Sequence, residues 1–218
     1  MKKLLVTGGA GFIGSAFVRK AVISKYRVVN FDALTYCGSL NNLRDINEFN
    51  NYKFINGNIR DGELLNKIFF EERPDALIHF AAESHVDRSI LSANDFIQTN
   101  IIGTYQLLEA ANLYFSKLNE EKKFRFYHIS TDEVFGSLGK EGYFTENSNY
   151  RPSNPYSASK AGSDHLVNAW NKTYDLPTLI SHSSNNYGQY QYPEKWLSNI
   201  NTNINIEQMV FQNQYQYQ

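Results

Sequence analysis

A glycine-rich segment at residues 7–14, TGGAGFIG, constrains the fold of this chain more than any other feature. It directly follows a short apolar run, KLLVT at residues 3–7, and opens an amphipathic stretch over residues 12–24. Glycines at this spacing let a strand turn tightly into a helix, with no side chain between the two elements. The segment therefore predicts a β-strand, a tight turn and an α-helix, which together form the first unit of an α/β fold.

The same alternation of strand and helix patterns continues along the chain. Short apolar runs predict further buried strands at residues 27–31, 53–56, 76–80, 126–130 and 178–181. Amphipathic stretches between them predict helices at residues 61–72, 92–118 and 155–174. This order is typical of a Rossmann-like, doubly wound parallel sheet with helices on both faces. We expect one such domain over residues 1–195 and a divergent, irregular tail over residues 196–218.

The composition argues against several classes of protein. The 218-residue chain has 21 basic and 22 acidic residues, so no nucleic-acid or anionic-membrane surface is expected. Cys37 is the only cysteine, which rules out an internal disulfide and favours a cytoplasmic location. The five histidines lack metal-ligand spacing, so we predict no metal site. We also expect neither a membrane span nor a secretory signal, because no apolar run is long enough.

The glycine turn predicts a bound dinucleotide as well as a fold. The amino terminus of the following helix offers free amide groups and partial positive charge to phosphates. Asp32 ends the second predicted strand, where a carboxylate can accept hydrogen bonds from ribose hydroxyls. The same carboxylate would repel a ribose phosphate, so NAD is favoured over NADP. The alternative is a glycine turn without a ligand, in which Asp32 only caps the strand.

Tyr156 and Lys160 form a second candidate pair. They are four residues apart on a predicted helix, so they share one face. A lysine cation beside the tyrosine would favour the phenolate and make it a usable base near neutral pH. The same spacing also occurs in exposed helix pairs that have no chemical role.

A run of polar residues, Ser130 to Glu133, follows the fifth predicted strand, at the sheet edge where ligands of such folds bind. A hydroxyl there suits oxidation of an alcohol. Elimination of water beside a newly formed ketone needs a base for a carbon-bound proton and an acid for the leaving hydroxyl. Asp132 and Glu133 could supply both, or they could only cap the next turn.

Seven segments together carry a resemblance to a known family: TGGAGFIG, DALTY, AAESHVDRSI, TNIIGTYQLLEAA, ISTDEVFG, NPYSASKAGSDHL and SNNYG. Over residues 1–195 the chain resembles the dTDP-glucose 4,6-dehydratases of the extended short-chain dehydrogenase/reductase superfamily. The run Thr131-Asp132-Glu133, together with AAESHVDRSI, distinguishes this family from related epimerases and decarboxylases. After residue 195 the resemblance ends, so we expect the C-terminal substrate lobe to be largely missing.

The resemblance implies a dehydration of dTDP-glucose through transient reduction of tightly held NAD. Tyr156 would take the proton of the 4-hydroxyl, Thr131 would bond the 4-oxygen, and Lys160 would hold the nicotinamide ribose. Glu133 would remove the proton on carbon 5, and Asp132 would protonate the departing 6-hydroxyl. Other nucleotide-sugar chemistry, epimerisation or decarboxylation, and a catalytically silent NAD-binding fragment are the alternatives.

The resemblance also implies binding residues and a partner. The cofactor-binding set is Gly8, Gly11, Phe12, Ile13, Gly14, Asp32, Ala33, Leu34, Thr35, Asn58, Ile59, Phe80, Ala81, Ala82, Glu83, Ser84, Thr99, Tyr156, Lys160 and Asn186. The substrate-binding set is Ser84, Thr131, Asn185 and Lys195. A homodimer through the two long helices is expected, because these helices have apolar residues beyond one face, at Tyr105, Leu108, Ala111, Leu166, Ala169 and Trp170.

Overall fold

Six parallel strands form a single sheet in the computed structural model, which describes residues 1–119, 123–138 and 142–191. The strands are β1 (Lys3–Thr7), β2 (Arg27–Asp32), β3 (Tyr52–Asn56), β4 (Ala76–His79), β5 (Phe126–Thr131) and β6 (Thr178–Ser183). They lie in the order β3-β2-β1-β4-β5-β6, and every neighbouring pair is parallel. The predicted Rossmann-like sheet is therefore confirmed. Lys195 and the predicted tail over residues 196–218 lie outside the described residues.

The helices cover the connections between strands. They are α1 (Phe12–Ile23), α2 (Gly62–Glu72), α3 (Val86–Leu91), α4 (Asn94–Phe96), α5 (Thr104–Phe115) and α6 (Pro155–Tyr174). A π-helical segment, Ile97–Gly103, joins α4 to α5. The helix predicted over residues 92–118 is thus helical from 94 to 115, but its middle was predicted with the wrong helical form. Two short 3-10 turns, Leu40–Leu43 and Asp132–Phe135, complete the described elements.

Two helix starts have side-chain caps. The Asp61 side chain accepts a hydrogen bond from the amide of Leu64 at 3.0 Å and caps α2. Asn154 accepts from the amide of Ser157 at 2.8 Å and forms a reciprocal capping box at the start of α6. Pro155 follows at the first helical position, where a missing amide hydrogen costs nothing. These local contacts fix where α6 begins, and therefore where Tyr156 lies.

The core has two layers, one on each face of the sheet. Adjacent residues of a strand point to opposite faces: Leu5 packs in one buried cluster with residues of α2, α5 and α6, whereas Leu4 packs in the other with residues of α1. Leu108 and Ala111 belong to the first cluster and are fully buried within the chain. The expectation that they face a dimer partner is wrong, because the α5 face that carries them covers the sheet.

The strand order places a crevice in the middle of the sheet. From β1 the chain crosses to β2 on one side, and the later strand β4 pairs with the other side of β1. Connections that leave in opposite directions separate at the carboxyl ends of the strands, which is where ligands of open α/β sheets bind. Within the part of the chain that the structure describes, no helix is long and apolar enough to cross a membrane.

Candidate functional site

A cavity of about 490 Å³ opens at the carboxyl ends of the strands, above the crevice between β1 and β4. It receives residues from the glycine turn, from the ends of β2 to β6, and from α6. Most of the predicted cofactor-binding residues line it: Gly8, Gly11, Phe12, Ile13, Gly14, Asp32, Ala33, Thr35, Asn58, Ile59, Phe80, Ala81, Ala82, Glu83, Ser84, Thr99, Tyr156, Lys160 and Asn186. The fold therefore brings to one place residues that are up to 178 positions apart in the sequence.

The glycine turn fits a ligand that approaches the backbone closely. Gly8 has a φ of +72°, and a Cβ there would collide with the main chain of Ala81. A Cβ at Gly14 would collide with the carbonyl of Gly8, so helix and strand can meet only without a side chain at this position. Gly11 caps α1 without a side-chain hydrogen bond and lines the cavity. The first amides of α1 are thus left for an anionic group, as a dinucleotide pyrophosphate requires.

Asp32 connects the glycine turn to the end of β2. Its Oδ2 accepts a hydrogen bond from the amide of Ala10 at 2.8 Å, and its Oδ1 accepts one from the amide of Leu34 at 2.8 Å. Burial raises the pKa of Asp32, and these two main-chain hydrogen bonds partly offset that rise. The carboxylate therefore has a structural role as well as a place in the cavity wall, and the two interpretations made from the sequence are compatible.

Two predicted site residues do not line the cavity. Leu34 has a φ of +50°, donates its amide to Asp32 and packs its side chain against the core on the α1 side. Asp132 begins the 3-10 turn between Thr131 and Glu133, which both line the cavity, and its Oδ1 accepts a 3.4 Å hydrogen bond from the Thr131 hydroxyl. Successive side chains of a 3-10 turn point about a third of a turn apart, so neighbours in the sequence need not face the same cavity, and the sequence did not reveal this.

Four of the five predicted catalytic residues share the cavity wall: Thr131, Glu133, Tyr156 and Lys160. Tyr156 is held by an edge-to-face contact with Phe96, with ring centroids 6.3 Å apart. Glu133 is tied to the start of α6, because its Oε2 accepts a 3.5 Å hydrogen bond from the Asn154 amide group. The cap that sets the start of α6 therefore also contacts an acid of the cavity wall.

The pKa of Tyr156 is shifted in the direction opposite to the sequence-based expectation. Burial raises it first, and the negative charge of Glu133 raises it further, whereas a hydrogen bond with Thr131 lowers it. The Lys160 ammonium donates instead to the carbonyl oxygen of Ile129, at 2.7 Å. Lys160 thus lies beside β5, where its positive charge does not offset burial of the tyrosine. In this arrangement the Tyr156 hydroxyl stays protonated at neutral pH.

Of the predicted substrate residues, Ser84, Thr131 and Asn185 line the cavity, and Lys195 is outside the described residues. Sequence reasoning missed several other lining residues, namely Phe31, Cys37, Gly38, Gly57, His85, Val86, Asp87, Ile129, Ser183, Ser184 and Gln191. Several of them lie near the carboxyl end of a strand or directly after it, and that position is a signal that could have found them. Cys37 and Gly38 come from the loop after β2 and have no such signal. Among the described residues no group of three or more His, Cys, Asp or Glu side chains is placed to hold a metal ion.

Two buried histidines lie below the cavity, on β4 and β5. The ring of His79 is within 2.7 Å of the Thr7 hydroxyl and 3.0 Å of the Thr104 hydroxyl. Its ring centroid is 5.1 Å from that of His128. Burial lowers the pKa of His128 to about 4 and lowers the pKa of His79 well below its ordinary value. Both rings are therefore neutral at physiological pH.

We expect the free energy of unfolding to fall as the pH falls from 7 to 5. The folded pKa of His128 lies below its unfolded value, so the unfolded chain binds a proton that the folded chain does not. This single group should remove about 2 kcal/mol of stability over that range. Urea unfolding at both pH values measures the loss. The variant His128→Gln should reduce it, and His165→Gln, at an exposed histidine, should not. If His128→Gln lost as much unfolding free energy between pH 7 and pH 5 as the parent does, the low folded pKa of His128 would be contradicted.

Comparison with known proteins agrees with this geometry. Residues 5–216 match the family described as GDP-mannose 4,6 dehydratase. The dTDP-glucose 4,6-dehydratase of Neisseria meningitidis is 56% identical over 199 residues, which cover 89% of this chain and 56% of that protein. This chain thus spans just over half the length of the curated relatives it matches.

Solved structures show the same relationship. The dTDP-glucose 4,6-dehydratase of Streptomyces venezuelae, solved with NAD bound, is 46% identical, has a TM-score of 0.82, and is matched over 88% of this chain and 59% of its own. The UDP-glucose 4-epimerase of Thermotoga maritima is 31% identical, with a TM-score of 0.77 over 88% of this chain and 58% of its own. The chain is therefore similar in fold to both kinds of enzyme and closer in sequence to the dehydratase.

Proposed function

This chain belongs to the GDP-mannose 4,6 dehydratase family, and on that basis we propose that it serves the NAD-dependent dehydration of dTDP-glucose to the 4-keto-6-deoxy sugar. The observation that carries the proposal is the pairing of Glu133 and Tyr156 in one cavity, with the Thr131 hydroxyl also on its wall. Alcohol oxidation needs the tyrosine and the hydroxyl, and only a following elimination needs the acid. Sequence identity of 55–56% to curated dTDP-glucose 4,6-dehydratases over the matched residues supports this substrate.

The residues present fit NAD as the cofactor. The glycine turn and the first amides of α1 would hold the pyrophosphate, and Asp32 would accept hydrogen bonds from the adenosine ribose. Lys160 would contact the nicotinamide ribose. When bound, NAD supplies a hydride acceptor that later returns the hydride. A cytoplasmic location, favoured by the single cysteine Cys37, is part of the same proposal.

The chain's own residues would then move protons. As a phenolate, Tyr156 takes the proton of the 4-hydroxyl, so it must first lose the proton that it carries at neutral pH in this arrangement. Thr131 holds the 4-oxygen while the ketone forms. The ketone acidifies carbon 5, so Glu133 can remove the proton there as a general base. Asp132 protonates the leaving 6-hydroxyl, which requires its side chain to turn from the Thr131 hydroxyl towards the cavity.

The proposal is tested in three separate incubations, in which the chain and NAD are mixed with dTDP-glucose, with GDP-mannose or with UDP-glucose. Mass spectrometry should detect loss of water from dTDP-glucose and from neither of the others. Interconversion of UDP-glucose and UDP-galactose would favour the epimerase alternative. NAD binding without turnover of any sugar nucleotide would favour a silent binding fragment, which the chain's share of its relatives' length makes the second candidate.

Asp32 should select NAD over NADP. Hydrogen bonds to a charged group contribute about 1.5–3 kcal/mol, so Asp32→Ala should weaken NAD binding about ten- to hundredfold. Asp32→Asn retains an acceptor for the Leu34 amide and removes the charge that repels a ribose phosphate, so it should bind NADP more tightly than the parent does. Calorimetric titration measures both affinities. Equal affinity of the parent for NAD and NADP would refute the role of Asp32.

We also propose a homodimer that pairs α5 and α6, on a smaller apolar surface than the sequence indicated. Tyr105 is 37% exposed and stacks edge-to-face on Trp170 at 5.9 Å, and Trp170 contacts Tyr174. Light scattering at micromolar concentration should give the mass of two chains, and Tyr105→Glu should shift it to one. Tyr143→Glu, at a tyrosine that is 82% exposed elsewhere, is the matched control. A monomeric parent would count against this interface.

A further inference from the structure

Asp164 is a buried carboxylate for which the proposed chemistry has no use. It lies one helical turn after Lys160 on α6, and its side chain is 0% exposed. Its Oδ2 accepts hydrogen bonds from the hydroxyls of Ser130, at 2.8 Å, and Tyr150, at 3.2 Å, and lies 3.0 Å from His182 Nε2. Burying a carboxylate costs several kcal/mol unless hydrogen bonds and an opposite charge compensate it. These three neighbours supply hydrogen-bond partners, and a buried cation near the carboxylate would add an opposite charge.

The carboxylate of Asp164 is ionised. Burial alone would raise its pKa, but the contacts with His128 and His182 outweigh burial and hold the pKa well below its ordinary value. His128 cannot supply the positive charge, because burial lowers its pKa to about 4 and leaves the ring neutral. Lys160 is the buried cation closest along this face of α6, and it is 4% exposed.

A histidine connects the two charges. His128 Nε2 lies 3.4 Å from Lys160 Nζ and 3.3 Å from Asp164 Oδ1. The Lys160 ammonium also donates to the carbonyl oxygen of Ile129, on the strand that carries His128. The same imidazole nitrogen therefore contacts both charged groups. In a neutral ring this nitrogen either donates to the carboxylate or accepts from the ammonium, so it places the two charges close together without relaying a hydrogen bond between them.

Among the groups around Lys160, Asp164 carries the charge that raises the pKa of Lys160. Titratable groups reach this cluster from every element packed against it, namely His79 on β4, His128 on β5, Asp132 and Glu133 after β5, Tyr150 in the following loop, Tyr156 on α6 and His182 on β6. Burial lowers the pKa of Lys160 to about 8, and within the described residues the negative charge of Asp164 is what raises it. The ammonium is thus close to losing its proton at physiological pH.

We propose that Asp164 is a positioning residue that acts through Lys160: its buried carboxylate, which contacts the same His128 nitrogen as the ammonium does, keeps the ammonium charged and in place beside the cavity. The consequence for NAD rests on the proposed function, since only a charged Lys160 donates strongly to a ribose hydroxyl. A purely structural Asp164 would instead tie Ser130 and His182, at the ends of β5 and β6, to α6. The two roles differ in one property, which is the protonation of Lys160.

The test is the proton titration of Lys160 in the full chain, without any nucleotide. Carbon and nitrogen NMR of labelled lysine side chains reports each Nζ, and the Lys160 signal is assigned by its loss in Lys160→Arg. We expect a midpoint near pH 8 in the parent, and at least a tenfold larger acid dissociation constant in Asp164→Asn, which keeps one acceptor oxygen for the neighbours of Oδ2. Asp175→Asn, at the exposed end of α6, should leave the midpoint unchanged. An unchanged midpoint in folded Asp164→Asn overturns the proposal.

A second measurement needs no Asp164 variant. Coupling between two titrating groups is reciprocal, so the Asp164 carboxyl carbon should shift with the same midpoint as Lys160. That step should vanish in Lys160→Met. A carboxyl signal that stays flat through the Lys160 midpoint overturns the proposal even if Asp164→Asn does not fold. Neither measurement uses NAD or a sugar, so a chain that fails to bind NAD would contradict the proposed function and leave this inference standing.

Discussion

Exchange of Tyr156 for Phe is expected to lower the rate of dTDP-glucose oxidation at carbon 4 by about a hundredfold to ten-thousandfold, the usual loss for a general base. The substitution removes only the phenolic hydroxyl and keeps the ring that contacts Phe96. A suitable protein is a chimaera of residues 1–191 with the remaining C-terminal part of the Neisseria meningitidis relative. Formation of NADH in a single turnover, followed by absorbance, is the measurement.

The control for this prediction is Tyr143→Phe, which makes the same change at an exposed tyrosine. It should leave the rate of NADH formation unchanged. Because burial raises the pKa of Tyr156, we also expect the parent rate to increase with pH through the neutral range, as more of the hydroxyl ionises. A Tyr156→Phe chimaera that binds NAD and forms NADH at the parent rate would exclude Tyr156 as the base.

Loss of Glu133 should stop the reaction one step later. Glu133→Gln, in the same chimaera, should still oxidise carbon 4, but the elimination should slow by about a hundredfold to ten-thousandfold. NADH should therefore accumulate on the protein while little keto-deoxy sugar is released. The amide retains the size of the acid and an oxygen that can accept from Asn154, so the start of α6 should be preserved. Rapid quenching with mass spectrometry measures both species.

The two acids are compared with an exposed one. Glu146→Gln, in the loop before α6, should behave as the parent does. Asp132→Asn should also stop at the oxidised stage, but Glu133 lines the cavity and Asp132 does not, so Glu133→Gln is the sharper test. Thermal unfolding separates these effects from loss of the fold. If a folded, NAD-loaded Asp132→Asn/Glu133→Gln double variant released product at the parent rate, the acids would be structural only.

Local chemistry explains why much of the fold could be predicted. The glycine turn, the Asp61 cap and the Asn154 cap act within a few residues, so their signals are complete in the sequence. The inner strands β1 and β4 are short apolar runs, which makes them readable without knowledge of their neighbours. The edge strands β3 and β6, which were predicted to be buried as well, are only partly buried because each pairs on one side only. The π-helical form of Ile97–Gly103 has no comparable local signal.

The candidate site was predictable as a set of residues but not as a set of interactions. Strand ends meet at one sheet edge, so residues 130–133 and the glycine turn could be placed together. The hydrogen-bond partner of Lys160 could not be predicted. The ammonium contacts β5 rather than Tyr156, and this contact depends on how α6 packs on the sheet. Asp164 and His128 gave no signal either, since each becomes informative only when burial and the other residue are known.

The most direct test of the central claim is to follow the hydrogen on carbon 4 of the sugar. Incubation of the parent chain, and of the chimaera, with NAD and dTDP-glucose that carries deuterium at carbon 4 should give a 4-keto-6-deoxy product with deuterium at carbon 6. That transfer requires oxidation at one carbon and return of the same hydride at another, with water lost between the two steps. Recovery of a 4-epimer with deuterium still at carbon 4, or of unchanged substrate from both NAD-loaded proteins, would contradict the account.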